Sequence, residues 1–369
     1  MTSHQCCTET RCTIIPPHIL NELIRNGRPG QSNAALATLN LDFSMRTLRA
    51  LRSAQPRPNV VGEVEQVTTS IYDTHNTLKL PGDLVAQAPT IAQTPTTGDA
   101  AADAAFDNLR ATYTFYLSQY QWRSIDDHGM PLLATVHYGE GYDNAYWNGT
   151  QMVFGDGGGE IFQNFSASLD VVGHELTHGV TEFTAGLVYM DQAGALNESL
   201  SDVFGSLIKQ QQRGQTVEQA DWLIGADVLT PQVQLMDTAP SKPAALRWLK
   251  APGQAYDNPL MGKDPQPAHM DNYDFTKFDN GGVHINSGIP NRAFYLAATN
   301  LGGYAWERAG LIWFTAMPQA GRLCTFAQFA ALTTQAAAAL YPGSPEIQQA
   351  VADAWSEVGV PTRAGMTNR

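Results

Sequence analysis

The sequence predicts an α+β protein of two lobes, a β-rich one followed by a helical one, preceded by a short basic head. Between residue 60 and about residue 163, short β-branched stretches alternate with turns such as Gly155-Asp156-Gly157-Gly158-Gly159. After Ser168, apolar residues recur at helical spacing instead. Charge divides the chain as well. Residues 1–57 carry seven Arg, no Lys and three acids, a net of +4, against −17 for the remainder.

In the head, Pro16-Pro17 before residues 18–26 and Gly27 after them predict a short helix with proline at its start and glycine past its end. Met45, Leu48 and Leu51 form a stripe that predicts a second helix over residues 43–54. Gln55-Pro56-Arg57-Pro58 disfavours helix and reads as an extended linker, which ends the head at 1–57; the two lobes are expected over 58–186 and 187–369. Residues 61–67, 70–80, 133–138, 145–147 and 151–154 read as strands, interrupted by one helix over about 100–120. Helices are expected at about 169–184, 196–212, 290–301, 304–317, 325–340 and 344–358, with a long loop rich in Pro, Gly and Asp from about 229 to 283.

Of the 369 residues, 43% are hydrophobic and 15% charged, enough to bury a large core. A net charge of −13 argues against nucleic acid as a partner, because phosphate contacts need clustered Lys and Arg. No apolar run approaches the ~18 to 20 residues of a membrane span. Residues 1–11 are polar, so no ordinary secretory signal is expected. The reading is a soluble monomer. Cys6, Cys7 and Cys12 crowd the first twelve residues and Cys324 stands alone, which is no disulfide framework. Cys324 is expected as a buried small hydrophobe. The front cluster, with His4, can bind metal, oxidise, or lie in a polar tip with no role.

The strongest chemical signal is His174-Glu175-Leu176-Thr177-His178. Helix positions i and i+4 share a face one turn apart, so both imidazoles can reach one metal ion. Glu175 stands beside that ion without binding it, placed to take a proton from water. The flanks supply the helix: Ser168 as its cap, Asp170 in the first turn, and Val171, Val172, Leu176 and Val180 spaced for packing. A catalytic zinc needs a third protein ligand. Glu198, 20 residues beyond His178, is far enough for one helix to end and the next to present a carboxylate. Asp202, one turn later, is placed to accept the free ring N–H of His174. Taken alone, Glu198 and Asp202 would be an ordinary solvated acidic pair.

A third constellation is Asp279-Asn280-Gly281-Gly282-Val283-His284. Paired glycines turn the backbone tightly, and Asp279 can hold the His284 imidazole charged and oriented. A cationic His284 facing the metal can stabilise a tetrahedral oxyanion. The plainer alternative is a loop histidine satisfied by a neighbouring carboxylate.

In this order, the three motifs resemble the thermolysin family of zinc metallopeptidases. The 19 residues between His178 and Glu198 match that family. Gluzincin aminopeptidases have one fewer, and their Gly-x-Met-Glu-Asn motif is absent here. Gly186-Leu187-Val188-Tyr189, Gly194-Ala195-Leu196-Asn197-Glu198, Asn144-Ala145-Tyr146-Trp147-Asn148-Gly149 and Gly155-Asp156-Gly157 also match, so the similarity runs over roughly residues 60 to 360. In the head, Ile14-Ile15-Pro16-Pro17-His18-Ile19-Leu20 is similar to the short propeptide of protealysin-type members, whose precursors also lack a conventional signal peptide.

The resemblance implies a thermolysin-like two-lobe metallopeptidase with its zinc site in the cleft, the first lobe including the zinc-binding helix. Residues 1–57 become a removable inhibitory propeptide, acting in cis, and proteins or peptides become the substrates. Family likeness implies secretion, with non-classical export and intracellular retention both open. His174, His178 and Glu198 would bind zinc, supported by Asn197 and Asp202. Glu175 would act as general base and pass the proton to the leaving amine. Tyr189 and His284 would stabilise the oxyanion, with Asp279 orienting His284. Asn144 and the Ala145 backbone would hold the peptide as an added strand, and Arg247 would contact the substrate carbonyl beyond the cut. Phe162, Phe165, Val171, Val228 and Leu246 would line an apolar pocket on the leaving side, favouring bulky apolar residues.

One departure concerns calcium, which the family commonly holds as a pair of ions. Asp170 and Asp221 match two of the ligands, but Lys209 and Ala226 stand where acids are expected. An ammonium replaces such an ion by charge rather than ligating it, so Lys209 is expected to bridge Asp170 and Asp221. Two rival readings of the whole chain are an inactive zinc-binding protein and an exopeptidase. The first is opposed by the presence of Glu175, Tyr189 and His284, the second by the absence of a terminus-binding carboxylate motif. Latency has two candidate causes: a head thiolate on the metal, or steric blocking by the Pro16-Pro17 segment, which would suffice.

Overall fold

The structure is a computed structural model that describes residues 13–52, 66–238 and 243–361, without side-chain detail for residues 44–52. Helices α1 (Pro17–Asn26) and α2 (Pro29–Arg52) form the head. The first lobe follows as β1 (Thr68–Asp73), β2 (Asp83–Pro89), α3 (Ala100–Tyr120), β3 (Leu132–Val136), β4 (Ala145–Trp147) and β5 (Met152–Phe154). These five strands make one mixed sheet in the order β2-β1-β3-β5-β4, so β4 lies at an edge. Next come α4 (Leu169–Phe183) and α5 (Asp191–Arg213), then β6 (Leu223–Ile224), α6 (Pro231–Met236), β7 (Arg247–Trp248), β8 (Asp257–Asn258) and β9 (Gly262–Lys263). The chain closes with α7 (Asp279–Asn286), α8 (Gly288–Leu301), α9 (Ala309–Ala316), α10 (Phe326–Leu340) and α11 (Pro345–Glu357). Among the described residues, no helix is long and apolar enough to cross a membrane.

The head is continuous with the body. Ile14, Ile15, Ile19, Leu20 and Leu23 are at most 1% exposed and belong to the core that also contains Phe162, Leu246 and Val360. Full burial of such side chains contributes about 1.5 to 3 kcal/mol each. Polar contacts add to this. Asp42 accepts hydrogen bonds from Tyr142 Oη at 2.5 Å and Asn144 Nδ2 at 3.0 Å. Among the described residues, charge pairing between the basic head and the acidic body is weak. Arg28 meets Glu160 at 3.3 Å with both side chains largely exposed, a pair worth little.

Several elements differ from expectation. α2 begins at Pro29, not near residue 43, because its inward face is Gln31, Ala35, Thr38 and Asp42: helically spaced, but not apolar. The strand expected over 70–80 ends at Asp73, where His75 and Asn76 take left-handed conformations (φ 51° and 61°). Its partner β2 is exposed along most of its length, so no alternation marks it in sequence. Residues 61–65 lie outside the described residues, and Val67 precedes β1. α5 starts at Asp191 and α9 at Ala309. The expected loop over 229–283 carries α6 and the β8–β9 ladder. Ser168 occupies the start of α4 but makes no side-chain cap; its hydroxyl donates to Asp170 Oδ1 at 2.7 Å instead.

Candidate active site

The site is built where α4 and α5 cross. His174 Nε2 and His178 Nε2 are 3.0 Å apart, and each is 3.5 Å from a Glu198 oxygen. All three residues are buried. Zinc bonds of about 2.0 to 2.1 Å in a tetrahedron require donors roughly 3.3 Å apart, so the set fits zinc. The outer ring nitrogens are committed elsewhere, which turns both Nε2 atoms inward. His174 Nδ1 lies 2.9 Å from Asp202 Oδ1, and His178 Nδ1 lies 2.8 Å from Asn197 Oδ1 and 3.0 Å from Ser201 Oγ. Glu198 Oε2 is buried with no hydrogen-bond partner among the described residues, as befits a metal ligand.

Glu175, fully buried, accepts the Trp147 backbone N–H on Oε2 at 2.9 Å, which ties it to edge strand β4. On the α5 side, Tyr189 Oη donates to Glu198 Oε1 and lies 3.1 Å from His284 Nε2. His284 is oriented by Asp279, whose carboxylate meets its Nδ1 at 2.7 Å and its backbone N–H at 2.9 Å. Asn280, Gly281 and Gly282 between them all have positive φ. Gly281 suits its φ of 85°, which other residues rarely adopt, and a β-carbon there would also push Asp191 Oδ1 aside. Burial lowers the His284 pKa, but Asp279 and Glu198 outweigh it and raise the value above that of an ordinary histidine.

Behind the ligands stands an Asp202–Arg247 pair. Arg247 Nε donates to Asp202 Oδ2 at 2.8 Å, and Asn291 Nδ2 donates to the same oxygen at 2.8 Å. The second nitrogen arm of Arg247 points at the head: Nη1 donates to the Ile14 carbonyl at 3.0 Å. The head therefore fills the cleft. Ile14 N–H donates to the Ala145 carbonyl at 3.2 Å, Ile15 N–H to Asn144 Oδ1 at 2.9 Å, and Asn144 Nδ2 to the Ile15 carbonyl at 3.4 Å. The Thr13 carbonyl lies 3.1 Å from His284 Nε2.

The structure places the sequence-derived residues as follows. His174, His178, Glu198, Glu175, Tyr189, His284 and Asp279 form one buried cluster, with Asn197 and Asp202 behind it. Asn144, Ala145 and Arg247 line the cleft occupied by the head. Phe162, Phe165, Val171, Val228 and Leu246 are each at most 2% exposed, and the rings of Phe162 and Phe165 are 6.0 Å apart. Lys209 Nζ is 2.8 Å from Asp170 Oδ2 and 3.1 Å from Asp221 Oδ1, so it bridges the two carboxylates. Cys324 is buried, and burial pushes its thiol up to about 11, consistent with inert packing. Cys6, Cys7, Cys12 and His4 lie outside the described residues. Sequence reasoning missed Ser201, Asn291 and the Trp147 N–H. Asn291 carries a readable signal, an amide within the otherwise apolar inward face of α8.

These donors and their surroundings define a metal-dependent peptidase. The family comparisons agree: the profile described as "Thermolysin metallopeptidase, catalytic domain" matches residues 54–182, and "Thermolysin metallopeptidase, alpha-helical domain" matches residues 185–360. The chain belongs to the thermolysin family of zinc-dependent metallopeptidases. It is 47% identical to an extracellular metalloprotease of Pectobacterium carotovorum subsp. carotovorum, over 95% of this chain and 97% of that one. It is 46% identical to protease PrtS of Photorhabdus sp. (strain Az29), over 94% and 91%. Among solved structures, the precursor of protealysin, a metalloproteinase from Serratia proteamaculans, superposes with a TM-score of 0.82 at 47% identity, covering 95% of this chain and 99% of that chain.

Proposed function

We propose that this metalloprotease is a zinc endopeptidase made as a precursor, whose own head occupies the substrate cleft until it is removed near residues 53–60. One observation carries the reading: the carbonyl of a bound peptide segment, at Thr13, sits on His284 beside the His174, His178 and Glu198 donors. Zinc bound there supplies Lewis acidity toward a carbonyl oxygen and water. Glu175 is the general base, supported by its burial and by the Trp147 N–H that aims it; it then returns the proton to the leaving amine. His284 and Tyr189 stabilise the oxyanion, supported by the Asp279 carboxylate that favours the imidazolium. Asn144, Ala145 and Arg247 hold the peptide backbone, through the same groups that hold Ile14 and Ile15.

Apolar preference on the leaving side is supported by the wholly apolar set Phe162, Phe165, Val171, Val228 and Leu246, and by Ile14 buried in this cleft. Lys209 takes the place of paired calcium. Secretion is proposed from relatives named as extracellular proteases. The test follows casein hydrolysis by full-length protein over time, with N-terminal mass spectrometry and Glu175→Gln in parallel. Activity that rises as the head is lost, with a variant that neither digests casein nor matures, is the expected result. A wild type that sheds its head and stays inert with zinc bound would overturn it.

A further inference from the structure

We propose that the Thr13–Ile14 peptide bond of the head is itself a substrate of this centre, cut in cis separately from removal of the head near residues 53–60. The inference rests on the peptidase reading above and adds a specific bond to it.

The argument is one of register and direction. Five successive backbone groups of the head are each held by the body. The Thr13 carbonyl is on His284, the Ile14 N–H on Ala145, the Ile14 carbonyl on Arg247, and both polar groups of Ile15 on Asn144. Pro16 follows directly and has no N–H, so a slip that put it in the place of Ile15 would leave Asn144 Oδ1 without a donor from the head, which specifies the register. Thr13, Ile14 and Ile15 are at most 2% exposed, which excludes bulk water from these bonds. A segment that merely obstructed the cleft would have no reason to place a carbonyl on the histidine that stabilises an oxyanion. This segment places one there, with the following amide on the side of Ala145 and Arg247. Strand β4 links the two halves of the reaction: Ala145 holds Ile14, and Trp147, two residues on, holds Glu175.

The step is a hydrolysis. A water oxygen bonds to the Thr13 carbonyl carbon and the Thr13–Ile14 C–N bond breaks. Glu175 takes one proton from the water and passes it to the Ile14 nitrogen, which leaves as an amine; the new carboxyl group loses the second proton to that amine, leaving a carboxylate and an ammonium. The products are a peptide ending in the Thr13 carboxylate and a chain beginning at Ile14. The cut does not clear the cleft, because Ile15, Ile19, Leu20 and Leu23 remain buried in the body's core. The residues it frees are 1–13, which include Cys6, Cys7, Cys12 and His4. The head can therefore be both a substrate and a lasting block.

The experiment incubates full-length zinc-loaded protein in 18O-labelled water and follows intact mass and N-terminal sequence. Expected are a new Ile14 N-terminus and a Thr13-terminated peptide carrying the label, formed at a rate independent of protein concentration. Neither should form with Glu175→Gln, nor with Ile14→Pro, which removes the N–H held by Ala145. A second readout needs no turnover. In the zinc-free Glu175→Gln full chain, the Ile14 and Ile15 amides should be protected from hydrogen exchange, and Asn144→Ala should reduce the Ile15 protection at least tenfold. Wild type that digests casein while its head keeps an intact Thr13–Ile14 bond overturns this inference and leaves the peptidase reading standing. Failure to cut either one overturns both. Amides exchanging as fast as in a free peptide would overturn the register.

Discussion

Gly205 of α5 packs so closely on α4 that a β-carbon at that position would stand 2.5 Å from the Asp170 carbonyl oxygen and 3.1 Å from the His174 backbone nitrogen. Gly173 does the same from the other helix, its β-carbon falling 2.8 Å from Ile208 Cδ1. The two glycines set the approach of the helices that carry His174 and Glu198. Gly205→Ala would gain helix propensity, but the close contact is with backbone, which cannot rotate aside. The expected result is a net loss of about 1 to 3 kcal/mol and weaker zinc retention against a chelator. An unchanged melting temperature and unchanged chelator resistance would show that the helices have room to spare.

Asp202 serves three groups at once: His174, Arg247 and Asn291. Burial raises its pKa, but Arg247 and His174 outweigh that and hold it far below the usual carboxylate range. It is therefore an anion throughout the working pH range. Asp202→Asn should leave Arg247 buried without its counter-charge, costing about 3 to 5 kcal/mol, and lower zinc affinity about 10- to 100-fold. Thermal unfolding and chelator competition read the two losses separately. Loss of stability without loss of zinc affinity would mean that His174 keeps its orientation without the carboxylate.

The chemistry of the site was legible in sequence because helical geometry places i and i+4 donors together whatever surrounds them. His174, His178 and the Glu198–Asp202 pair needed no tertiary information beyond two helices. Asp279 and His284 were legible as a candidate pair from their five-residue separation and paired glycines, but spacing alone also fits a loop histidine satisfied by a carboxylate, and their role came from the family resemblance. What was hidden depends on contacts distant in sequence. The head's hold on Asn144 through Asp42 joins residues 102 apart, and the Asn291–Asp202 bond spans 89. α2 was under-read because its buried face is Gln31, Ala35, Thr38 and Asp42, and β2 because an exposed edge strand has no apolar face to alternate.

Lys209 lies between Asp170 and Asp221 at the back of α4. Burial lowers its pKa, but Asp170 and Asp221 outweigh it and raise the value; Asp170 is correspondingly held low despite its own burial. Nζ also donates to the Leu223 carbonyl at 2.5 Å, so the ammonium is ligated much as an ion would be. Lys209→Met should strand Asp170 and cost about 3 to 5 kcal/mol. A calcium chelator, by contrast, should leave the melting temperature of the wild type unchanged. A chelator-induced drop that disappears when both Asp170 and Asp221 are changed to Asn would instead place calcium at this site.

His18 makes the docked head sensitive to acid. Its Nε2 lies 3.0 Å from Tyr256 Oη, while Nδ1 is shielded without a hydrogen-bond partner among the described residues. Burial lowers its pKa; Asp279 partly opposes this, and the positive His284 and Arg247 add to the drop, which ends at about 4 against an ordinary 6.5. The docked ring is thus neutral where a released one would be charged. Above pH 6.5 both states are neutral and docking is at full strength. Between 6.5 and about 4 the released head binds the extra proton, so docking weakens as pH falls, by about 1.4 kcal/mol per unit. Below about 4 both states are charged and this contribution no longer changes. In the Glu175→Gln full chain, hydrogen exchange over residues 14–25, corrected for intrinsic rates, should lose about tenfold in protection per pH unit across that window. His18→Leu should flatten the dependence, and an equally steep profile in that variant would assign the acid sensitivity to other groups.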